Sequence, residues 1–539
     1  MELKLLSDEE RLLFEKDAFA DVPPLVTAQG ETHPVEERGD CFFQLTNYVN
    51  IEEYHAYLQT VESAGWQLIV RYDGIPIPAD NITLFRKDRR LLEVIYYDFQ
   101  NHAFLNPKLY VSVSLVPPYR IREPGDLFRD VALPEAQPAR DCGEGNFIAL
   151  TENAARSEYD ALLAAVCRDG WGKQYDNGAG LADAVFTALF TKDTRTLCAL
   201  YTAPSHRLYV TVGEEQAPPS PYLTDDPARR GGFVPGLRTS LHMLELWHFG
   251  NSFVIQLKNG HFLVSDGGLR QDVPYLVDYL EQLAPAGEKP VIEGWFISHG
   301  HGDHCGVLME LALNGEWGER ITVEGVYFSQ PSVDMLALDH AGLGSMGLIH
   351  RMPDKIRTAA GVPTPFYRLR TGERYYFADI TVDVLLAQEL IPFESCTGDL
   401  NDTSAWLLFT VEGQKILLAG DGDKSGMKLL MENYTSAFMA VDVMSVLHHG
   451  SNVRNEFTDF CSVKTALYPC YDTSKLRKKE QNDYLKSKVA EWFAWGDGTR
   501  VLTFPYRVGE SVRIPPRDWK YHRDETRPVG SVGDNKKRE

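Results

Sequence analysis

From residue 38 to residue 118 the apolar positions fall in short alternating runs. Cys41 to Thr46 reads as a strand, Ile51 to Ala64 as an amphipathic helix, and Ile82 to Phe85, Leu91 to Tyr97 and Leu109 to Leu115 as three further strands. The pattern then returns. Shifted by 105 positions, Phe42, Tyr54, Leu58, Gly65, Trp66, Phe85, Leu92 and Tyr96 fall on Phe147, Tyr159, Leu163, Gly170, Trp171, Phe190, Leu197 and Tyr201, so the spacing predicts two tandem α+β repeats. Each is expected to run strand, helix, Gly-Trp turn and a three-stranded meander. The recurring Tyr and Trp read as core, because they occupy positions that face inward; a substrate-holding or dimerising role for the repeats is the alternative.

The second half changes rhythm. Leu241 to Phe249, Ser252 to Leu257, His261 to Ser265 and Val291 to Ile297 read as strands, with a helix over Val273 to Leu283. The boundaries drawn from these patterns are an N-terminal helix or arm (1–37), repeat 1 (38–118), a linker (119–142), repeat 2 (143–214), a second linker (215–237), an α/β domain (238–514) and a polar tail (515–539). Ser7-Asp8-Glu9-Glu10 resembles a capping box ahead of Leu12, Leu13 and Phe14, and predicts a short helix in the arm. Residues 330–364 follow neither period and read as a helical excursion or lid, with His340 and His350 as further histidines.

Composition narrows the function classes. The 539 residues are 44 % hydrophobic, enough for more than one core. A formal charge of −22 repels long polyanions, which argues against a nucleic-acid-binding surface and favours a small substrate. With no signal-like start and no long apolar run, neither export nor membrane spanning is expected, and a cytoplasmic location is. Eight cysteines without a CxxC pair fit reduced, buried thiols; Cys305 reads as packing.

The chemistry concentrates where the strand ending at Ile297 runs into Ser298-His299-Gly300-His301-Gly302-Asp303-His304. Imidazole and carboxylate suit zinc, iron or manganese, and residues two apart at a strand's end face the same way, so His299 and His301 can hold one ion and Asp303 and His304 a second. A histidine-rich turn without metal is the plain alternative. Asp421 follows the apolar strand Lys415 to Ala419, with Gly420 allowing close backbone approach, and His448-His449-Gly450-Ser451 adds two histidines, one expected to bind metal and the other to hydrogen-bond or touch substrate.

The His-x-His-x-Asp-His run resembles the signature of the metallo-β-lactamase fold, a superfamily of dinuclear metallohydrolases. Asn251 to Asp266-Gly267-Gly268 ahead of it resembles that family's opening hairpin, and Gly420-Asp421 and His448-His449-Gly450-Ser451 resemble its bridging-aspartate and final-histidine motifs. The wording of Asn401-Asp402-Thr403-Ser404 and of the last two motifs is most similar to the hydrolase domains of bacterial DNA-uptake channel proteins. The resemblance covers roughly residues 240 to 514 and implies a four-layer αβ/βα sandwich, two divalent ions, zinc first with manganese or iron as alternatives, and a hydrolase. In it Asp421 would bridge the ions, Asp303 would take or relay a proton, and Asp266 would orient a ligand histidine, unless it only shapes a turn. The chain departs from the family at one motif. Where a histidine is usual it has Asn401-Asp402, so Asp402 or the amide of Asn401 would fill that slot, or the segment is an Asx turn.

The substrate implied is a small anionic phosphodiester. Carboxylic-ester, lactone or thioester hydrolysis is the alternative chemistry, and a metal-stabilised non-catalytic scaffold the alternative class. Lys475 to Lys479 and Lys486 to Lys488 form a local basic run in which Lys478 could contact a phosphate, or which could be a solvated helix face. Homo-oligomerisation through the repeat half, a small-molecule partner and no membrane complete the expectations.

Overall fold

The computed structural model describes residues 18–38, 41–73, 81–88, 90–97, 107–115, 124–143, 145–214, 219–247, 250–314, 317–329, 364–393, 400–470 and 479–516. The helix expected after Ser7, the segment 330–363 with His340 and His350, Lys475 to Lys478, and the tail beyond residue 516 lie outside them. The fold is mixed α/β with several sheets. Contacts divide the chain into two units, Met1–Arg122 with Ser332–Asp354, and Glu123–Pro331 with Lys355–Glu539. Among the described residues no helix is long and apolar enough to cross a membrane.

The first unit carries an antiparallel sheet in the order Cys41–Asn47, Lys108–Leu115, Arg90–Tyr97, Asn81–Lys87, Gln67–Asp73, with the helix Ile51–Ser63 after its first strand. Asn50 and Glu53 close a reciprocal capping box at that helix, whose Tyr54, Tyr57, Leu58 and Val61 are buried. The second unit begins with the same connectivity: Phe147–Thr151, Arg207–Glu214, Arg195–Thr202, Val185–Lys192, Gly172–Asp176, and the helix Arg156–Arg168 burying Tyr159, Leu162 and Val166. Each meander has four strands rather than the expected three. The additional one is an edge strand, and Gly172–Asp176 is exposed along nearly its whole length, so it carries no apolar alternation to read.

Both sheets are clamped by a constellation from the segments read as arm and linker. Asp21, in Phe19-Ala20-Asp21-Val22, accepts from the Arg90 guanidinium (2.8 Å to Nη2) and from Lys87 (2.9 Å), and Arg90 lies 5.1 Å over the Trp66 ring. Asp130, in Phe128-Arg129-Asp130-Val131, accepts from Arg195 (2.6 and 3.0 Å) and Lys192 (2.5 Å), with Arg195 4.8 Å over Trp171. Phe19 and Val22 pack on one core, Phe128 and Val131 on the other. The guanidiniums hold both aspartates below the usual carboxylate range, Asp21 at about 2, against the opposing effect of burial.

Residues 215–237 also do more than link. The Pro221–Leu223 turn buries Tyr222 and Leu223; Tyr222 stacks 4.3 Å from Phe377, and Ser220 meets the Tyr327 hydroxyl at 2.8 Å. The sheet formed by residues 147–214 and the segment before it are bonded to the rest of this unit: buried Arg368 donates to the carbonyls of Cys142 (2.5 Å) and Gly143 (3.1 Å), Thr187 to that of Thr371 (2.8 Å), and Ser205 to Asn433 (2.9 Å).

Two sheets carry the remainder. One runs through Val326–Tyr327, Val291–Phe296, Phe262–Asp266, Ser252–Gln256, Ser240–Met243 and Thr499–Thr503. The other runs through Arg374–Phe377, Ile380–Leu386, Trp406–Val411, Gln414–Leu418, Val443–Ser445, Thr465–Tyr468 and Glu491–Ala494. The strand expected to reach Phe249 stops at Met243. Phe296 meets Tyr375, Phe377 and Phe409 from the second sheet with centroids 5.8 to 6.3 Å apart, so an aromatic layer joins the two. Phe262–Asp266 and Val291–Phe296 are parallel neighbours, which requires a crossover, and the helix Val273–Leu283 supplies it.

Candidate metal centre

Four segments leaving strands converge on one place. Val291–Phe296 leads through Ile297 and Ser298 to His299 and His301, and the helix Gly302–Asn314 then carries Asp303 and His304 in its first turn, where the helix dipole favours a carboxylate. Gln414–Leu418 delivers Asp421, Val443–Ser445 delivers His448 and His449, and Phe262–Asp266 ends on Asp266 itself. Strand ends place side chains at a common rim while the sheets hold their roots rigid. At Gly420, with φ +49°, a Cβ would come within 2.5 Å of Ser298 Cβ, so only glycine lets Asp421 approach His299 this closely.

The donors form two groups sharing one carboxylate, and within each group the ligand atoms lie within 4.8 Å of one another: His299, His301 and Asp421, and Asp303, His304, Asp421 and His449. Asp402, buried in the turn Leu400–Thr403 beside the equally buried Asn401, is in neither group. Lys478 is not among the described residues. Of the remaining basic run, Lys488 pairs with Asp459 at 3.1 Å and Lys486 lies 6.0 Å from the Trp492 ring centroid.

Outer partners decide which ring nitrogen each histidine presents. Asp266 is fully buried and accepts from Ser298 N (2.7 Å), Ser298 Oγ (3.0 Å), Asn251 Nδ2 (3.0 Å) and His304 Nδ1 (2.8 Å). His304 therefore keeps a proton on Nδ1 and turns Nε2, the nitrogen left for a metal, toward Asp421 Oδ1 at 3.1 Å and Asp303 Oδ2 at 3.6 Å. With its hydroxyl proton given to Asp266, Ser298 Oγ accepts from His299 Nδ1 at 3.0 Å, so His299 presents an Nε2 lone pair, 2.9 Å from His301 Nδ1. His449 donates Nδ1–H to the Pro469 carbonyl at 2.9 Å, leaving Nε2 as the nitrogen turned to the site, 3.1 Å from Asp303 Oδ2 and 3.5 Å from Asp421 Oδ1.

His448 is the reverse. Asn452 Nδ2 donates to the Asp421 carbonyl at 3.3 Å, which fixes the amide's orientation, and the same Nδ2 lies 3.0 Å from His448 Nδ1. Nδ1 accepts, so the proton sits on Nε2, 3.6 Å from Asp421 Oδ2. The histidines diverge through a turn rather than an extended segment: both have φ of 48°, left-handed backbone that costs roughly 1–2 kcal/mol per non-glycine residue. Backbone strain of this kind clusters where a site demands a special direction.

The charges follow. Burial works to lower the His304 pKa, yet the carboxylates of Asp421, Asp266 and Asp303 drive it well above the usual value; His449 is raised by Asp421 and Asp303 against the same burial. Burial would raise Asp303 and Asp421, but the facing imidazoles hold both below the carboxylate range. His299, buried among His304 and His301, is pushed well below 6.5 and stays neutral. The raised values mean that His304 and His449 also hold a proton on Nε2, shared with the carboxylates; a divalent cation would take the place of those protons, and two carboxylates and two Nε2 atoms converging on one spot fit it.

Asn452, Ser298, Asn251 and the Pro469 carbonyl were not legible as site residues. Ser298, between the strand and His299, and Asn251, at the start of the hairpin motif, stood where a sequence signal existed. No curated protein matches the chain. Residues 246–453, which carry every donor of both groups, match the family model of the metallo-beta-lactamase superfamily.

Proposed function

We propose that the protein is a dinuclear metal-dependent hydrolase acting on a small phosphodiester, its C-terminal half a four-layer αβ/βα sandwich and its N-terminal half a duplicated α+β module. The observation that carries the metal reading is the shared Asp421: two donor groups meet on one carboxylate, and His304 and His449, whose Nδ1 atoms are held by outer acceptors, both turn Nε2 toward carboxylate oxygens. His299, His301 and Asp421 would hold one ion, and Asp303, His304, His449 and Asp421 the other. Imidazole and carboxylate donors suit zinc, with manganese or iron accommodated by the same set. Bound there, two ions would lower the pKa of water and offset negative charge on the attacked centre.

The chain's own residues do the rest. Asp266 locks the His304 tautomer, Ser298 relays that lock to His299, and the Pro469 carbonyl locks His449, so the donor set is preorganised. Asp303 Oδ2, 3.1 Å from His449, is positioned to accept a proton from an attacking water. The phosphodiester preference rests on two things: the likeness of Asn401–Ser404, Gly420-Asp421 and His448–Ser451 to DNA-uptake hydrolase domains, and a charge of −22, which disfavours long polyanions.

Elemental analysis of protein purified without chelator and incubated with excess zinc or manganese tests the first part, with two ions per chain expected; a reproducible value of one or fewer defeats it. A chromogenic phosphodiester and a chromogenic acyl ester test the second. Asp303→Asn is expected to lower kcat on the diester by about 10²-fold, the order of a lost general base. Turnover of the acyl ester alone would move the assignment to carbon centres, and metal without turnover of either would favour a scaffold.

A further inference from the structure

We propose that His448 is not a metal ligand but the hydrogen-bond donor that holds an anionic oxygen of the substrate at the edge of the metal centre. The inference rests on the dinuclear reading above and assigns one residue within it.

A histidine binds a metal through a ring nitrogen that bears no proton. Among the described residues at this site, His299, His304 and His449 each keep a proton on Nδ1 through an outer acceptor, which leaves Nε2 as the nitrogen a metal can take. His448 has the opposite assignment. The Asp421 carbonyl accepts from Asn452 Nδ2, and rotating that amide would put its oxygen against the carbonyl; Nδ2 therefore stays, and donates to His448 Nδ1. That lone pair is engaged, and Nε2 bears the hydrogen. Ligation would require breaking the bond to Asn452, which is itself 7 % exposed.

Position completes the case. His448 Nε2 lies 3.6 Å from Asp421 Oδ2, whereas Asp421 Oδ1 faces His304 and His449, so His448 stands on the other side of the shared carboxylate. Its side chain is 28 % exposed, against 10 % for His449 and none for His304, so it reaches closer to the rim than these two ligands. The consecutive left-handed residues His448 and His449 aim adjacent side chains apart, with ring centroids 6.2 Å apart and planes at 77°. One ring is thereby delivered to the donor group and its neighbour to the approach. A preorganised N–H beside a cation centre is suited to a non-bridging phosphate oxygen or to the oxyanion of an attacked ester.

The test uses the full chain loaded with zinc, with zinc content, affinity for inorganic phosphate and turnover of a chromogenic phosphodiester as readouts. His448→Ala is expected to keep the wild-type zinc content while phosphate binding weakens about 10-fold and turnover falls about 10²-fold, the order of a lost oxyanion donor. His448→Gln, whose amide also donates, should retain zinc and recover part of both losses, which a purely structural role would not produce. His449→Ala should lose one ion. Zinc lost from a folded His448→Ala protein to the same extent as from His449→Ala, or phosphate affinity unchanged in it, would overturn the inference while leaving the dinuclear reading in place. A wild-type protein that retains one zinc or fewer would overturn both.

Discussion

Asp266→Asn isolates how a buried carboxylate outside the donor groups controls them. The substitution keeps size and shape but replaces one of two acceptor oxygens by an NH2 group. If the amide oxygen stays on Ser298 N, the NH2 takes the place of Oδ2 and faces Ser298 Oγ, Asn251 Nδ2 and His304 Nδ1, all of which now donate to it. The hydroxyl can rotate and His304 can shift its proton to Nε2, but that proton then occupies the direction toward Asp421 Oδ1, 3.1 Å away, and removes the lone pair from the donor group. If the amide turns the other way, an N–H meets the Ser298 N–H that was 2.7 Å from oxygen. Either arrangement loses a charge-assisted bond, costing about 1.5–3 kcal/mol of stability. Loss of such an outer partner weakens metal binding by about 10- to 100-fold, or about 1.4–2.8 kcal/mol. Competition against a chromophoric chelator would measure the zinc affinity, with circular dichroism as the check on folding. A folded Asp266→Asn protein with zinc affinity within about twofold of wild type would refute the tautomer argument, since twofold is well below the range expected of such a partner.

Gly420→Ala forces a Cβ against Ser298 at a positive φ and should cost about 2–4 kcal/mol from backbone and overpacking together, read as a lower urea midpoint at unchanged slope; an unmoved midpoint would contradict the close approach. Asp130 has a depressed pKa, so it contributes stability that is present above its ordinary value of 3.8 and lost as pH falls through the lower folded value. Asp130→Asn should therefore flatten stability against pH below about pH 5, the acid side on which a depressed carboxylate acts. Superimposable acid limbs in wild type and variant would show that the Arg195 clamp carries no such linkage.

The alternation of Cys41 to Thr46 and the 105-residue recurrence were readable because buried strands and capped helices write their period into the chain. The edge strand Gly172–Asp176 was not, since an edge strand held by backbone bonds needs no apolar face, and its counterpart Gln67–Asp73 follows the Gly-Trp turn without the spacing of the other strands. The Phe19–Val22 and Phe128–Val131 clamps escaped for a different reason: their spacing to the repeats differs by four residues, so an ungapped shift of 105 misses them although Asp21 and Asp130 hold equivalent Arg-Lys-Trp sets.

At the site the division is sharper. His299, His301, Asp303 and His304 are neighbours in sequence, and a strand running into a helix brings their donors together by local geometry alone, while a strand ending in Gly420-Asp421 marks a carboxylate that can come close. Adjacent His448 and His449 look equivalent in the chain. They become different because a side-chain amide reaches one and a backbone carbonyl the other, from Asn452 and Pro469. The position of a proton on an imidazole depends on what stands at its far nitrogen, and for His449 that neighbour is twenty residues away and is brought into contact only when the Val443–Ser445 and Thr465–Tyr468 strands pair. Asp402 has the residue type of a ligand and yet falls in neither donor group, because which carboxylates converge is set by how the strand ends meet and not by composition.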